Sequence, residues 1–208
     1  MKGYLTEFIG TFFLVLTIGL AVLSGSPLAP LAIGASLMVM VYMGGHISGG
    51  HFNPAVTTAV WLRGKLPASQ VIPYWIAQIL GSLVAAFVVH ITTGHTFAPA
   101  PSPTASSLQV LIIEVLYTFA LALVVLNTAT AKGTSGNSFY GLAIGFTVMA
   151  GAFAMGGVSG AMFNPAVAVG VSVMRLSPWP NLWIYLVAEV LGGLVAGLTF
   201  KFINPEDK

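Results

Sequence analysis

Asn53-Pro54-Ala55-Val56 recurs as Asn164-Pro165-Ala166-Val167, the same four residues 111 positions further along the chain. Asn before Pro reads as a helix start. The Asn side chain caps the first N–H groups, and Pro sits at the first helical position, where no intrahelical N–H is needed. The apolar run after Asn53 reaches Leu62 before Arg63-Gly64-Lys65-Leu66-Pro67. The run after Asn164 reaches Met174 before Arg175-Leu176-Ser177-Pro178. About ten residues in each run make a rod of roughly 15 Å, about half of a ~30 Å hydrocarbon core. Two such half-helices, 54–63 and 165–174, entering from opposite faces would meet end to end at the middle.

The stretches ahead of the two triplets, Gly44-Gly45-His46-Ile47-Ser48-Gly49-Gly50-His51-Phe52 and Gly156-Gly157-Val158-Ser159-Gly160-Ala161-Met162-Phe163, read as too rich in glycine for lipid-facing helix. Irregular backbone at membrane depth is tolerated only where it is buried or lines a water-filled cavity. Their carbonyls would form a ladder of acceptors, with the Asn53 and Asn164 amides as donors at the centre. Both half-helix N-termini would aim there too, giving a positive potential that opposes cations and protons. One such triplet alone would read as a turn. Two at repeat-related positions, each between a glycine-rich loop and a half-span, do not.

Working outward, the chain divides into two copies. Tyr74-x-x-Ala77-Gln78-x-Leu80-Gly81 returns as Tyr185-x-x-Ala188-Glu189-x-Leu191-Gly192, again 111 positions on, and Glu7-x-x-x-Thr11-Phe12 returns as Glu114-x-x-x-Thr118-Phe119, 107 on. Six long apolar segments are read at 4–23, 29–46, 68–92, 107–130, 138–157 and 181–203. The expected organisation is one all-α membrane domain over 1–208, with internal repeats at about 1–97 and 107–203. Each copy holds three spans, an odd number, so the second inserts upside down relative to the first. Such an inverted repeat places its site at the bilayer midplane, between the copies.

Composition agrees. Hydrophobic residues make up 57% of the 208 and charged residues 6%, against roughly 25% charged in a soluble domain. No charge intervenes between Glu7 and Arg63, or between Lys65 and Glu114, and each gap holds two spans. With Lys2 inside, the cytoplasmic side carries six of the seven basic residues, all but Arg175, as the positive-inside rule requires. The net charge of +2 is too small and scattered to suggest nucleic acid. No cysteine is present, which excludes disulfides and thiolate metal sites. The 4–24 stretch resembles a signal peptide in outline, but the recurrence of its Glu7 and Thr11 marks it as the first span.

These residues resemble the aquaporin and glycerol-facilitator family over essentially the whole chain, and Gly45 to Thr57 resembles the first signature loop of bacterial aquaporins. The resemblance implies six tilted helices plus two half-helices, a homotetramer with one pore per subunit, no cofactor and no metal. It also implies a multi-pass location in a cell membrane, the inner one of a bacterium, with both termini cytoplasmic. At the pore centre it places Asn53, Pro54, Ala55, Asn164, Pro165 and Ala166, with Gly49, Gly50, His51, Gly160 and Met162 lining the pore by their backbone. Its outer selectivity filter maps to Ile33, Ala161, Val167 and either Ala152 or, with a one-residue gap, Phe153. Water-selective members carry Arg where Val167 stands, and glycerol facilitators an Arg-Asp pair where Val167 and Ala168 stand. An Ile/Ala/Val filter is similar to that of some plant vacuolar-membrane aquaporins that pass water with ammonia, urea or peroxide.

Intramembrane carboxylates suggest function by default. The resemblance instead gives Glu7 and Glu114 a supporting role, accepting N–H bonds from the re-entrant loops. Glu189 stands where the first copy has neutral Gln78, and reads as a satisfied or protonated buried acid. His46 and His51 lack accompanying ligands for a metal and read as loop-packing or pore-lining, while His95 is a candidate for the pore mouth. Trp179 and Trp183 are expected at the membrane interface. The expected function is passive conduction of water and possible small neutral solutes (ammonia, urea, glycerol, peroxide), with ions and protons excluded. The alternative is a secondary transporter coupled through Glu7, Glu114 or Glu189. An enzyme would need a nucleophile–base pair or metal cluster, and the sequence offers neither.

Overall fold

The computed structural model describes residues 1–95, 101–173 and 179–207. Its helices follow one order twice. The first pass is α1 (Lys2–Leu23), α2 (Ala29–Ser48), the short α3 (Pro54–Arg63) and α4 (Ala68–Thr93). The second is α5 (Ser107–Val125, continued by a π-helical turn Leu126–Thr130), α6 (Tyr140–Ser159), the short α7 (Pro165–Val173) and α8 (Trp179–Ile203). Among the described residues, the six long helices are apolar and long enough to cross a bilayer.

Burial is inverted relative to a soluble protein. Ile76, Phe87 and Ile91 on α4 are 53%, 62% and 63% exposed, while Glu7, Gln78, Glu114 and Glu189 are fully buried. An apolar exterior with a polar interior suits lipid as solvent, where each unsatisfied polar group is costly. Helices meet through small residues, since lipid supplies no hydrophobic drive between them. A Cβ at Gly34 would stand 2.6 Å from the Gly145 carbonyl, which locks α2 against α6. Gly81 lets α4 pass over the Phe8 carbonyl, and Gly192 does the same for α8 over that of Val115.

The structure departs from the sequence reading before each triplet. Gly44 to Ser48 and Gly156 to Ser159 are helical, so α2 and α6 run deeper than expected and α6 begins at Tyr140. Only about five residues in each loop are irregular. The glycines inside the helices serve packing: a Cβ at Gly44 would strike Thr6, at 2.6 Å. The helices stop where Gly49 (φ 91°) and Gly160 (φ 89°) turn left-handed and close the last turn. Arg175 lies outside the described residues, as does the Trp179 side chain. Trp183 is 55% exposed, on the outer surface.

The C-terminal end of α3 is tied down beneath the bundle. Arg63 is buried over the Phe200 ring (4.7 Å), donates to the Thr130 hydroxyl (3.1 Å) and carbonyl (3.3 Å), and pairs with Asp207. Asp207 in turn accepts the Lys132 backbone N–H at 2.7 Å.

Candidate functional site

The two Asn-Pro-Ala starts meet at the centre through a reciprocal exchange. The Asn53 amide donates to the Phe163 carbonyl (2.8 Å), and the Asn164 amide donates to the Phe52 carbonyl (2.9 Å). The side-chain oxygen of each Asn caps its own half-helix, Asn53 taking the Ala55 N–H at 2.8 Å and Asn164 the Ala166 N–H at 2.9 Å. An Asn side chain has two N–H donors. One is committed across the interface, which leaves the other for a passing molecule. Both helix N-termini point at this spot, so the local potential favours oxygen lone pairs and opposes cations.

Phe52 and Phe163 present their carbonyls through strained backbone, each with φ 48°. Such values cost non-glycine residues energy and persist only where surroundings enforce them. Phe52 is clamped between Gly10 and Gly44, while Phe163 packs on Gly151 and stacks on Tyr117 at 5.2 Å. The carboxylates complete the clamp. Glu7 accepts the N–H groups of His51 (2.9 Å) and Phe52 (2.6 Å), and Glu114 those of Met162 (3.2 Å) and Phe163 (2.8 Å). Tyr74 donates to the Ser48 carbonyl (2.8 Å), and its counterpart Tyr185 to that of Ser159 (2.5 Å). Neither Phe nor Tyr was picked out as a site residue by sequence reading, although both pairs share the 111-residue shift that marks the triplets.

The copies differ at one corner. In the first, Gln78 donates to Glu7 (2.7 Å) and to the Thr57 hydroxyl (2.9 Å). In the second, Glu189 and Ala168 stand at these positions. One oxygen of Glu189 accepts the Asn164 N–H at 3.0 Å, and the other has no hydrogen-bond partner among the described residues.

A cavity of about 370 Å³ leads to the two Asn residues, and a second of about 920 Å³ opens beside the loops at 64–67 and 131–139. Ile33, Ala152, Ala161 and Val167 line the first, with Asn53, Asn164, His51, Gly160 and Met162. Phe153, the other filter candidate, is 54% exposed on the outer surface, because α6 turns it a helical step away from the cavity. Pro54, Ala55, Pro165 and Ala166 are buried off the wall, where they start the half-helices rather than face the cavity. Gly49 lines the second cavity, a vestibule, with His46, whereas Gly50 is buried beneath the loop. His95 is exposed and in neither wall. Among the described residues no cluster of metal-ligating side chains occurs.

The sequence profile of the family described as "Major intrinsic protein" matches residues 1–200. Aquaporin NIP1-1 of Zea mays is 35% identical over 218 residues, covering all of this chain and 77% of its own length. Aquaporin TIP1-1 of Arabidopsis thaliana is 37% identical over 222 residues, covering 98% of this chain and 88% of its own. The X-ray structure of the aquaglyceroporin from Plasmodium falciparum matches the fold with a TM-score of 0.84 at 20% identity, over 99% of this chain and 97% of that one. The chain belongs to the major intrinsic protein family, the aquaporins.

Proposed function

We infer that this protein is a passive membrane channel for water and small uncharged solutes. The reciprocal Asn53–Phe163 and Asn164–Phe52 bonds carry the reading, because they fix two amide donors and two helix N-termini on the wall of one cavity, which adjoins the second at His51 and Val125. A neutral molecule exchanges its water partners for these donors and for loop carbonyls. A cation meets the positive ends of two helices and no compensating carboxylate. Glu7, Glu114 and Glu189 are fully buried and absent from both cavity walls, occupied with loop N–H groups. That placement counts against coupled transport through carboxylate protonation.

The outer constriction we assign to Ile33, Ala152, Ala161 and Val167. Its walls carry no charge and no side-chain donor, which supports passage of ammonia, urea, glycerol or peroxide beside water. We further propose a homotetramer in a cell membrane with both termini cytoplasmic. The basic residues support that orientation. The first loop's likeness to bacterial aquaporins supports a bacterial inner membrane, while the relatives named above are plant proteins. Osmotic shrinkage of proteoliposomes with urea, glycerol or sucrose as osmolyte tests the selectivity. Vesicles that shrink and re-swell with urea support a wide filter, and vesicles that shrink without re-swelling in both urea and glycerol oppose it. Native mass spectrometry reads the oligomer, and protease protection of the termini reads the orientation.

A further inference from the structure

The outer cavity and the cytoplasmic vestibule share only two wall residues among those described, His51 and Val125. Anything crossing from one cavity to the other passes between them. His51 stands one residue before Phe52 on the first re-entrant loop, and Val125 is the last residue of α5 before its π-helical turn. Their side chains are of opposite kind: an imidazole that hydrogen-bonds, and a branched hydrocarbon that offers only bulk.

The imidazole is oriented by its neighbours. Its Nδ1 lies 3.1 Å from the Thr57 hydroxyl, and the ring packs against Tyr74 with centroids 5.2 Å apart. Thr57 donates its single proton to the Asn53 carbonyl (3.0 Å) and receives the Gln78 amide (2.9 Å), whose orientation is set by its bond to the Glu7 carboxylate. A lone pair is what remains for His51, so Nδ1 carries the proton and Nε2 is a bare acceptor. The Nε2 edge lies over Gly49, a vestibule wall residue, where a Cβ would approach it to 2.8 Å. Thr57 also grips the Asn53 carbonyl, so the acceptor at the neck and the donor at the centre hang from one network.

In the outer cavity, by contrast, His51, Asn53 and Asn164 are the only described wall residues with polar side chains. Both Asn oxygens are spent on helix caps, which leaves His51 as the side-chain acceptor on this route.

We propose that the His51–Val125 neck determines solute selectivity in this channel, Val125 by setting the width and His51 Nε2 by accepting a hydrogen bond from the permeant just after it leaves the Asn pair. The proposal rests on the channel reading. It predicts that a solute is selected for having an N–H or O–H to offer and for slipping past a single isopropyl group.

The test is the ratio of glycerol to water permeability in proteoliposomes of the full chain. Val125→Ala raises this ratio and Val125→Leu lowers it, each on the order of tenfold, as one or two methylene groups decide a tight apolar fit. Val125→Leu keeps the residue apolar, so it stays informative if Val125→Ala fails to fold. Ala161→Val at the outer constriction moves the ratio less. For the acceptor, His51→Phe keeps a ring against Tyr74, and it slows water and glycerol while the re-entrant loop's hydrogen-exchange protection stays as in the wild type. An unmoved ratio in both Val125 variants, with Ala161→Val shifting it, overturns the neck. So does unchanged flux in His51→Phe. A wild type that conducts no water would overturn the channel reading itself.

Discussion

Asn53 reaches across the midplane to the carbonyl of Phe163, 110 residues away, while Asn164 answers it from the other half. Each side chain therefore does two jobs. Its oxygen caps one half-helix, and its amide ties the opposite re-entrant loop. Replacing Asn53 or Asn164 by Asp keeps the cap but sets a carboxylate against a carbonyl oxygen. The lost bond and the repulsion cost roughly 1–3 kcal/mol each, and the new charge offsets the helix N-termini. Thermal unfolding in detergent should fall for either variant, and water flux or cation exclusion should drop. A variant with unchanged stability, flux and exclusion would show the bond to be incidental.

Gly10 is a second point of leverage. Its missing Cβ makes room for the Phe52 ring, which holds the φ 48° backbone beside Asn53. Gly10→Ala drives a methyl into that ring and should destabilise by about 1–3 kcal/mol as overpacking, with water flux falling alongside. Gly133→Ala is the control, since nothing lies within 4 Å of its added Cβ. Equal melting of the two variants would contradict the clamp.

Much of this was legible in the sequence because the constraints are repeated. Lipid demands long apolar spans, and pairing two half-helices demands an N-cap Asn and an N1 Pro twice, so the copies at a 111-residue shift expose the architecture. What stayed hidden depends on contacts. Gly44 and Gly156 looked like loop but sit in helices, because a glycine read alone does not distinguish a bend from a close approach. Phe52 and Phe163 stood in the stretches expected to offer carbonyls, but only the structure shows that theirs are the ones that receive the Asn amides. Ala152 and Phe153 differ by one helical step, which a sequence without a landmark on α6 leaves open. Val125, one valine among many, carries no sequence signal at all.

The proposed outer constriction gives a selectivity prediction. Val167 is buried on the cavity wall with Ile33, Ala152 and Ala161 around it. Val167→Arg introduces a long cation with five donors into an apolar ring. Urea and glycerol permeability should fall by on the order of tenfold or more, with water reduced less. Solute-driven swelling of vesicles reads both. Larger loss of water than of urea would contradict a wide, apolar ring at these four residues.

Acid should loosen the contacts at the C-terminal end of α3. The Lys132 backbone N–H, and then the Arg63 guanidinium, hold the Asp207 carboxyl below its ordinary value of 3.8. A carboxylate so held contributes stability above that ordinary value and loses it as pH falls through the lowered one. As pH falls through that lowered value, then, the Asp207 contacts to Lys132 and Arg63 release. Hydrogen exchange at the Lys132 amide, corrected for intrinsic rates, should accelerate there in the wild type. In Asp207→Asn it should already be faster at neutral pH and lose its acid dependence. The same acid response in both proteins would assign it to another group.

The central claim is that the pore conducts passively, and its most direct test is stopped-flow light scattering of proteoliposomes across a temperature series, with and without imposed proton or sodium gradients. The account predicts water permeability well above protein-free vesicles, a low activation energy close to that of free water diffusion, and no response to either gradient. A high activation energy, or flux that follows a proton or sodium gradient, would contradict it and return the buried glutamates to the centre of the mechanism.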